Sequence, residues 1–346
     1  MDSLSQMALG AALSVAIMRR RVAPWKAALA GAVAGTLPDL DTLVHYTDAV
    51  DNMTRHRADS HALLYLALFA PILAGVVSWL SGTLAQWRWW WLAMSLALLT
   101  HSLLDYFTIY GTQLLRPFTS TPFGLGSLFI IDPLYTLPLL VGLIITLWRS
   151  RKDTGHNTLS ANAWGLGLST AYILWSVGAQ TYVKHQVEQQ LTVQQQQAYS
   201  VMVTPAPFNT VLWRVVLRSD TDYQEGFYSL FDGSRPVRFQ AFTHDASLAH
   251  ALQDLPQVQR MVWFTHGFYI VRRQGDKAIL SDVRMGQEPM YVFSFEVAQL
   301  NDNQWQAVPT HNIGGRPQAN ITLALRWLWQ RMWGVDIDPP RSLEPL

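Results

Sequence analysis

Apolar residues fall into long uninterrupted runs in the first half of the chain and short alternating ones in the second. Residues Ala62 to Trp87 contain no charged side chain, and the core Ala62 to Leu80 approaches the ~20 residues that a spanning helix needs. A second run, Trp89 to Leu104, opens on a tryptophan cluster suited to a membrane interface and leads into the polar stretch His101 to Asp105. Between Pro117 and Trp148 the only charged residue is Asp132, and Asn162 to Val183 has none. Two shorter helices, Met7 to Met18 and Trp25 to Leu37, are rich in Ala and Gly, which suits close helix packing. The pattern predicts an α-helical polytopic membrane domain over residues 1–183, with about six helices, two of them short.

Beyond Val183 the character changes. Residues 184–203 read as a Gln-rich helical stalk, with consecutive glutamines at Gln194 to Gln197. From 204 to 346 the runs Val211 to Arg218, Phe227 to Phe231, Arg260 to Arg272, Ala278 to Val283 and Tyr291 to Val297 are short and rich in β-branched and aromatic residues. They predict antiparallel strands of a small extramembrane mainly-β domain, separated by turns such as Asp232-Gly233-Ser234. The end, Ile321 to Trp333, has the spacing of an amphipathic helix, and two readings stand: it docks on an interface, or it packs on its own domain.

Composition agrees with a divided chain. Only 14% of residues are charged, against about 25% in a soluble globular protein, and the net charge of +1 gives no field to attract nucleic acid. The absence of cysteine removes disulfides and thiolate chemistry, so a metal would need His, Asp or Glu. The N-terminus lacks the form of a signal peptide, because Arg19, Arg20 and Arg21 follow the apolar run, and no cleavage is expected. Basic loops at Arg19 to Lys26 and Arg149 to Lys152 are expected inside, although Arg55 and Arg57 run against that rule. Threading six helices between these loops puts Asp2, the Pro38 to His61 connection, the His101 to Gln113 region and Asp132 at one outer face.

That convergence defines the candidate chemistry. His101 and Asp105, four apart on a helix, project from one face and suit a shared metal; alone, the pair reads first as a helix-end cap or salt bridge. Pro38 breaks the preceding helix and leaves Asp39 and Asp41 in an irregular segment, where capping is the plainer role. His56 and His61 add two imidazoles, and Arg57 between them suits a bidentate contact to an anion. Three acid-and-histidine clusters at one face favour a metal site over three separate anchors.

These segments resemble the YdjM-like family of bacterial inner-membrane proteins, described as membrane-bound metal-dependent hydrolases. The resemblance lies in Met1-Asp2 with Gly10, PDLD at Pro38 to Asp41, HRADSH at His56 to His61, HSLLD at His101 to Asp105, YGTQLLRPF at Tyr110 to Phe118 and FIIDPL at Phe129 to Leu134. It continues into the longer members through TPAPFNTVLWRVV at Thr204 to Val216, WFTHGFY at Trp263 to Tyr269 and SDVRMG at Ser281 to Gly286. It implies a helical domain in the inner membrane that holds a divalent metal, zinc before others, and a distant kinship to zinc-dependent phospholipase C and P1-type nucleases. Gln6 departs from the family, which often has His there, and Ala62 replaces a common Ser.

The expected ligands are therefore Asp39, Asp41, His56, His61, His101 and Asp105. Asp59 is the expected general base, Arg57 and Arg116 stabilise charge on the substrate, and Asp132 and Asp2 support the ligands from behind. The expected activity is hydrolysis of a phosphoester or lipid-linked substrate at the outer face, among membrane lipids, with the C-terminal domain periplasmic and open to an envelope protein partner. Two other readings stand beside it: an envelope or stress-associated scaffold whose cluster binds a structural metal or only holds helices together, and an ion transporter. In the β domain, Thr265, His266 and Gly267 and the pair Asp282 and Arg284 are further candidates, with His266 read as structural on a buried strand.

Overall fold

The computed structural model describes residues 1–151, 159–195, 199–219, 221–315 and 321–340, so Lys152, Gln196 and Gln197 lie outside the described residues. It forms a helical N-terminal region followed by a mainly-β C-terminal region, in two compact units. The first unit comprises residues 1–44, 56–177 and 207–209, and the second takes 45–55, 178–206 and 210–346.

The first unit is built on α1 (Ser3–Met18), α2 (Pro24–Ala34), α4 (Leu63–Leu80), α5 (Trp87–Tyr106), α6 (Pro133–Ser150) and the start of α7 (Ser160–Val193); α3 (Ala49–Arg55) belongs to the second unit. Helices α4 and α6 are long and apolar enough to cross a membrane. Both display exposed apolar stripes, Leu64, Leu68, Ile72 and Val76 on α4 and Leu134, Leu137, Val141 and Ile144 on α6. The core between helices is made of Val15, Met18, Ala27, Trp90, Met94 and Ala97, with Leu104, Tyr135 and Leu139 in a neighbouring cluster.

Glycine sets the spacing of α1 and α2. A Cβ on Gly10 would lie 2.2 Å from the Gly31 carbonyl oxygen, and one on Gly35 would lie 2.5 Å from that of Gln6. Only hydrogen fits at these crossings, which is how small residues let helix backbones meet. The predicted helix to Leu37 ends instead at Ala34, and a 3₁₀ turn, Leu37–Leu43, carries the PDLD residues. A second 3₁₀ turn, Asp59–His61, precedes α4. The loop after α5 fastens these pieces: Gln113 N–H donates to Arg57 O (2.9 Å), Leu63 N–H to Leu114 O (3.0 Å), and Ser127 N–H to Phe107 O (2.8 Å).

In the second unit β1 (Ser200–Pro205), β2 (Leu212–Arg218), β3 (Tyr223–Ser229) and β4 (Gln240–Phe242) form an antiparallel sheet in sequence order. Strands β5 (Tyr269–Gln274), β6 (Lys277–Asp282), β9 (Ser294–Asn301) and β10 (Gln304–Asn312) form another, in the order β10-β9-β6-β5, and β7 (Gly286–Gln287) pairs with β8 (Met290–Tyr291). Helices α8 (Ala246–Ala251), α9 (Pro256–Thr265) and α10 (Ile321–Met332) complete it.

Two expectations change here. The range read as a stalk is helical only to Val193, and Ala179, Val183, Val187 and Leu191 lay a stripe at four-residue spacing into the core with Trp213, Val215 and Leu217. The segment Arg260 to Arg272 is not one strand. Pro256 starts α9, and buried Val258, Met261, Phe264 and Thr265 keep helical spacing until His266 closes it in the left-handed conformation (φ 53°).

Candidate metal centre

Four side chains from three segments meet at the end of the helices: Asp39 from the first 3₁₀ turn, His61 from the second, and His101 and Asp105 from the last turns of α5. His61, His101 and Asp105 have no exposure, whereas the Asp39 side chain is 22% exposed and forms the open edge. The two Nε2 atoms lie 3.1 Å apart. His61 Nε2 is 3.3 Å from both Asp39 Oδ1 and Asp105 Oδ2, and His101 Nε2 is 3.5 Å from each. A tetrahedral zinc shell with bonds of about 2.0–2.1 Å sets neighbouring donors about 3.3 Å apart. The observed edges bracket that value.

Hydrogen bonding fixes which atoms face inward. His101 Nδ1 lies 2.7 Å from the Gly35 carbonyl, which can only accept, so the proton sits on Nδ1 and Nε2 presents its lone pair. Ser60 Oγ donates to Asp41 Oδ2 (2.6 Å) and therefore accepts from His61 Nδ1 (2.8 Å), leaving His61 Nε2 in the same state. Asp39 Oδ1 and Asp105 Oδ2, the two oxygens that face the imidazoles, accept no hydrogen bond although both are buried. Two lone-pair nitrogens and two unsatisfied carboxylate oxygens converge with no donor between them, so the donor set fits a divalent cation.

The electrostatics show how strongly the imidazoles and carboxylates act on one another. Burial opposes charge on His61, but the carboxylates of Asp105 and Asp39 outweigh it and raise its pKa. Burial acts to raise Asp39, yet the facing His101 and His61 hold its carboxyl well below the usual range.

The remaining expected residues stand around this centre. Asp41 and His56 are outside the four donors and form their own pair, His56 Nδ1 to Asp41 Oδ1 at 2.7 Å, while Asp41 Oδ2 also takes Ser60 and the Arg57 N–H. Burial acts to raise the Asp41 pKa, and His56, Ser60 and His61 outweigh it for a net depression. Arg57, buried and at φ 63°, reaches Asp105 Oδ1 (3.2 Å) and Thr108 Oγ1 (3.2 Å), so it secures a ligand instead of facing an anion. Gln6 Nε2 donates to the same Asp105 oxygen and to His101 O, both at 3.2 Å, and the Met1 amine also meets Asp105. At the rim Asp59 pairs with Arg116 (2.6 Å). Asp2 and Asp132 are engaged elsewhere: Asp2 caps α1 through Ser5, and Asp132 caps α6 at Leu134 N and accepts from the Tyr172 hydroxyl (2.9 Å). Sequence reasoning missed Ser60 and the Gly35 carbonyl; the Ser-His adjacency in HRADSH was the available signal for the first.

The candidates of the second unit form ties within it. Arg284 forks onto Asp282 (2.8 Å) and donates to Phe264 O, and His266 is the cap of α9.

The uncharacterized protein YfhP of Bacillus subtilis (strain 168) is 30% identical over 134 residues, which is 39% of this chain and 39% of that relative, so the alignment spans well under half of either. No solved structure matches the chain. The profile described as YdjM inner membrane protein matches residues 1–183, the segment that holds all four converging donors and just over half of the sequence, and the chain belongs to the YdjM inner membrane protein family.

Proposed function

We propose that the chain is a metal-dependent hydrolase of the inner membrane that cleaves a phosphoester or a lipid-linked substrate at the outer face of the bilayer. The convergence of Asp39, His61, His101 and Asp105, with donor spacings of 3.1–3.5 Å, carries this reading. A bound divalent ion, zinc best matching two imidazoles and two carboxylates, supplies a Lewis acid for a phosphoryl or acyl oxygen and acidifies water. Asp105 is held in place by Arg57 and Gln6. His56 is the better general base than Asp59: Asp41 holds its Nδ1 and the ring is partly exposed, whereas Asp59 is tied to Arg116. Arg116, beside the exposed Leu115 and Phe118, receives the anionic part of the substrate when that anion displaces Asp59 from its guanidinium. Leu40, Leu43 and Val44, exposed around the aspartates of the first 3₁₀ turn, favour a substrate with an apolar chain.

The reading extends to six membrane helices with the C-terminal region periplasmic; the exposed apolar stripes of α4 and α6 support membrane residence of these two helices, and the basic loops at Arg19 to Lys26 and Arg149 to Lys152 support the side. One observation favours a second reading. Four protein donors complete a tetrahedral shell, as in structural zinc sites, which suits a scaffold.

Metal analysis of the detergent-purified protein beside a folded His101→Ala/Asp105→Ala variant tests the site, followed by assay on water-soluble and lipid phosphoesters. Stoichiometric metal and turnover that vanish together support the hydrolase. Metal without turnover on any substrate, with unfolding on chelation, supports the scaffold. No metal after reconstitution with zinc or manganese rejects the hydrolase and leaves the scaffold, with a polar cluster that only holds helices together.

A further inference from the structure

The spacing of Ile321 to Trp333 left an interface and the chain's own domain as alternatives, and the two faces of α10 divide them. Trp327 and Arg331 are buried: Trp327 meets Phe227 edge-on at 4.9 Å between ring centres, and Arg331 forks onto Asp232 at 2.9 and 2.5 Å. This fork fixes the helix's rotation. The other stripe, Ile321, Leu325 and Trp329 at four-residue spacing, continued by Trp333, stays exposed, Trp329 by 61% and Trp333 by 53%. Phe231, itself 58% exposed, stacks on Trp333 at 5.1 Å, and Trp329 lies 5.6 Å from Trp333, so three large rings share one surface.

The chemistry of this surface selects its occupant. Tryptophan is enriched where one edge of a ring is apolar and the other meets headgroups. The exposed charge on the helix is Arg326, and no acidic residue occurs from Ile321 to Trp333, which complements an anionic surface. The chain belongs to an inner-membrane family, and α7 joins residues of both units in one continuous helix, so a weak surface contact is made at high effective concentration.

We propose that the exposed stripe of α10 lies in the headgroup layer of the bilayer, with Trp329, Trp333 and Phe231 as its anchors and Arg326 among anionic phosphates. The proposal requires membrane residence and is independent of any hydrolase activity.

The absence of cysteine allows a clean test. Full-length protein carrying Leu325→Cys or, as the exposed polar reference, Gln306→Cys is spin-labelled and reconstituted in nanodiscs of phosphatidylethanolamine and phosphatidylglycerol. Accessibility to oxygen and to a water-soluble nickel chelate is then compared. A lipid-facing stripe gives the label at 325 at least a threefold higher oxygen-to-nickel ratio than the label at 306, and Trp329→Asp/Trp333→Asp abolishes the difference. Equal ratios at the two positions overturn the proposal. Exclusion of both reagents at 325 also overturns it, with dipolar broadening then identifying a second copy as the occupant.

Discussion

Each unit buries a cluster of ionisable side chains, and the two clusters are solved in opposite ways. In the second unit Arg214 meets Glu225 (2.6 Å), Tyr223 donates to the same carboxylate (2.7 Å), Tyr291 reaches Tyr223 and Glu288, and Arg272 pairs with Glu288. Each acid has its own guanidinium, and each phenol has a partner. In the first unit Arg57 and Gln6 satisfy only the outer oxygen of Asp105, and the inner faces of two carboxylates and two imidazoles point at one another. A self-neutralising network holds a fold together, whereas a set of acceptors without donors is built around a cation. Buried charge by itself did not distinguish them; the direction of the lone pairs did.

The sharpest way to break this contrast is to remove one inward nitrogen. His61→Ala is expected to weaken zinc binding by ~10⁴-fold, roughly 5.5 kcal/mol, in competition with a chromophoric chelator. A variant that retained its affinity would show that the cluster is not a metal site. Glu225→Ala leaves Arg214 buried and unpaired and is expected to lower unfolding stability by about 3–5 kcal/mol with metal content unchanged. Loss of metal in that variant would erase the separation between the clusters.

A smaller effect tests the support of His61. Ser60→Ala removes the acceptor of its Nδ1 proton and is expected to cost 10–100-fold in zinc affinity by the same competition, roughly 1.4–2.7 kcal/mol, with no change in stoichiometry. Smallest is a pH effect confined to the second unit. Burial, then the nearby Arg218 and Arg272, outweigh Asp245 and push the His244 pKa down to about 4 from an ordinary value near 6.5. Because the folded pKa lies below the unfolded one, His244 leaves stability intact above about pH 6.5 and erodes it as pH falls toward 4. Unfolding midpoints across that window are expected to fall less steeply in His244→Gln, and an unaltered slope would remove His244 from the account.

The helical character of the N-terminal region was legible because long uncharged apolar runs such as Asn162 to Val183 exceed the length of a buried strand. The convergence of Asp39, His61, His101 and Asp105 was legible from threading, since residues far apart in sequence recur at one end of successive helices. What was hidden is which members of each motif turn inward. Asp39 and Asp41 are two apart in a 3₁₀ turn, and only the fold decides that the first meets the imidazoles while the second holds His56 and Ser60. The Val262-Trp263-Phe264 run illustrates the other failure. Its residues favour strands in isolation, and the packing of Val258, Met261 and Phe264 overrode that preference. The assignment of α3 to the second unit had no signal in a segment of seven residues between the PDLD and HRADSH motifs. There Arg260 of α9 binds Asp51 at 2.8 Å.

The glycine crossing of α1 and α2 carries a consequence for the ring of His101. The carbonyl that receives the His101 proton belongs to Gly35, which stands where it does because nothing larger than hydrogen separates it from Gln6. The glycine crossing is thereby coupled to the orientation of His101: the docked helices select the tautomer that turns Nε2 toward the other three side chains, and a larger residue at the crossing would be felt at that ring.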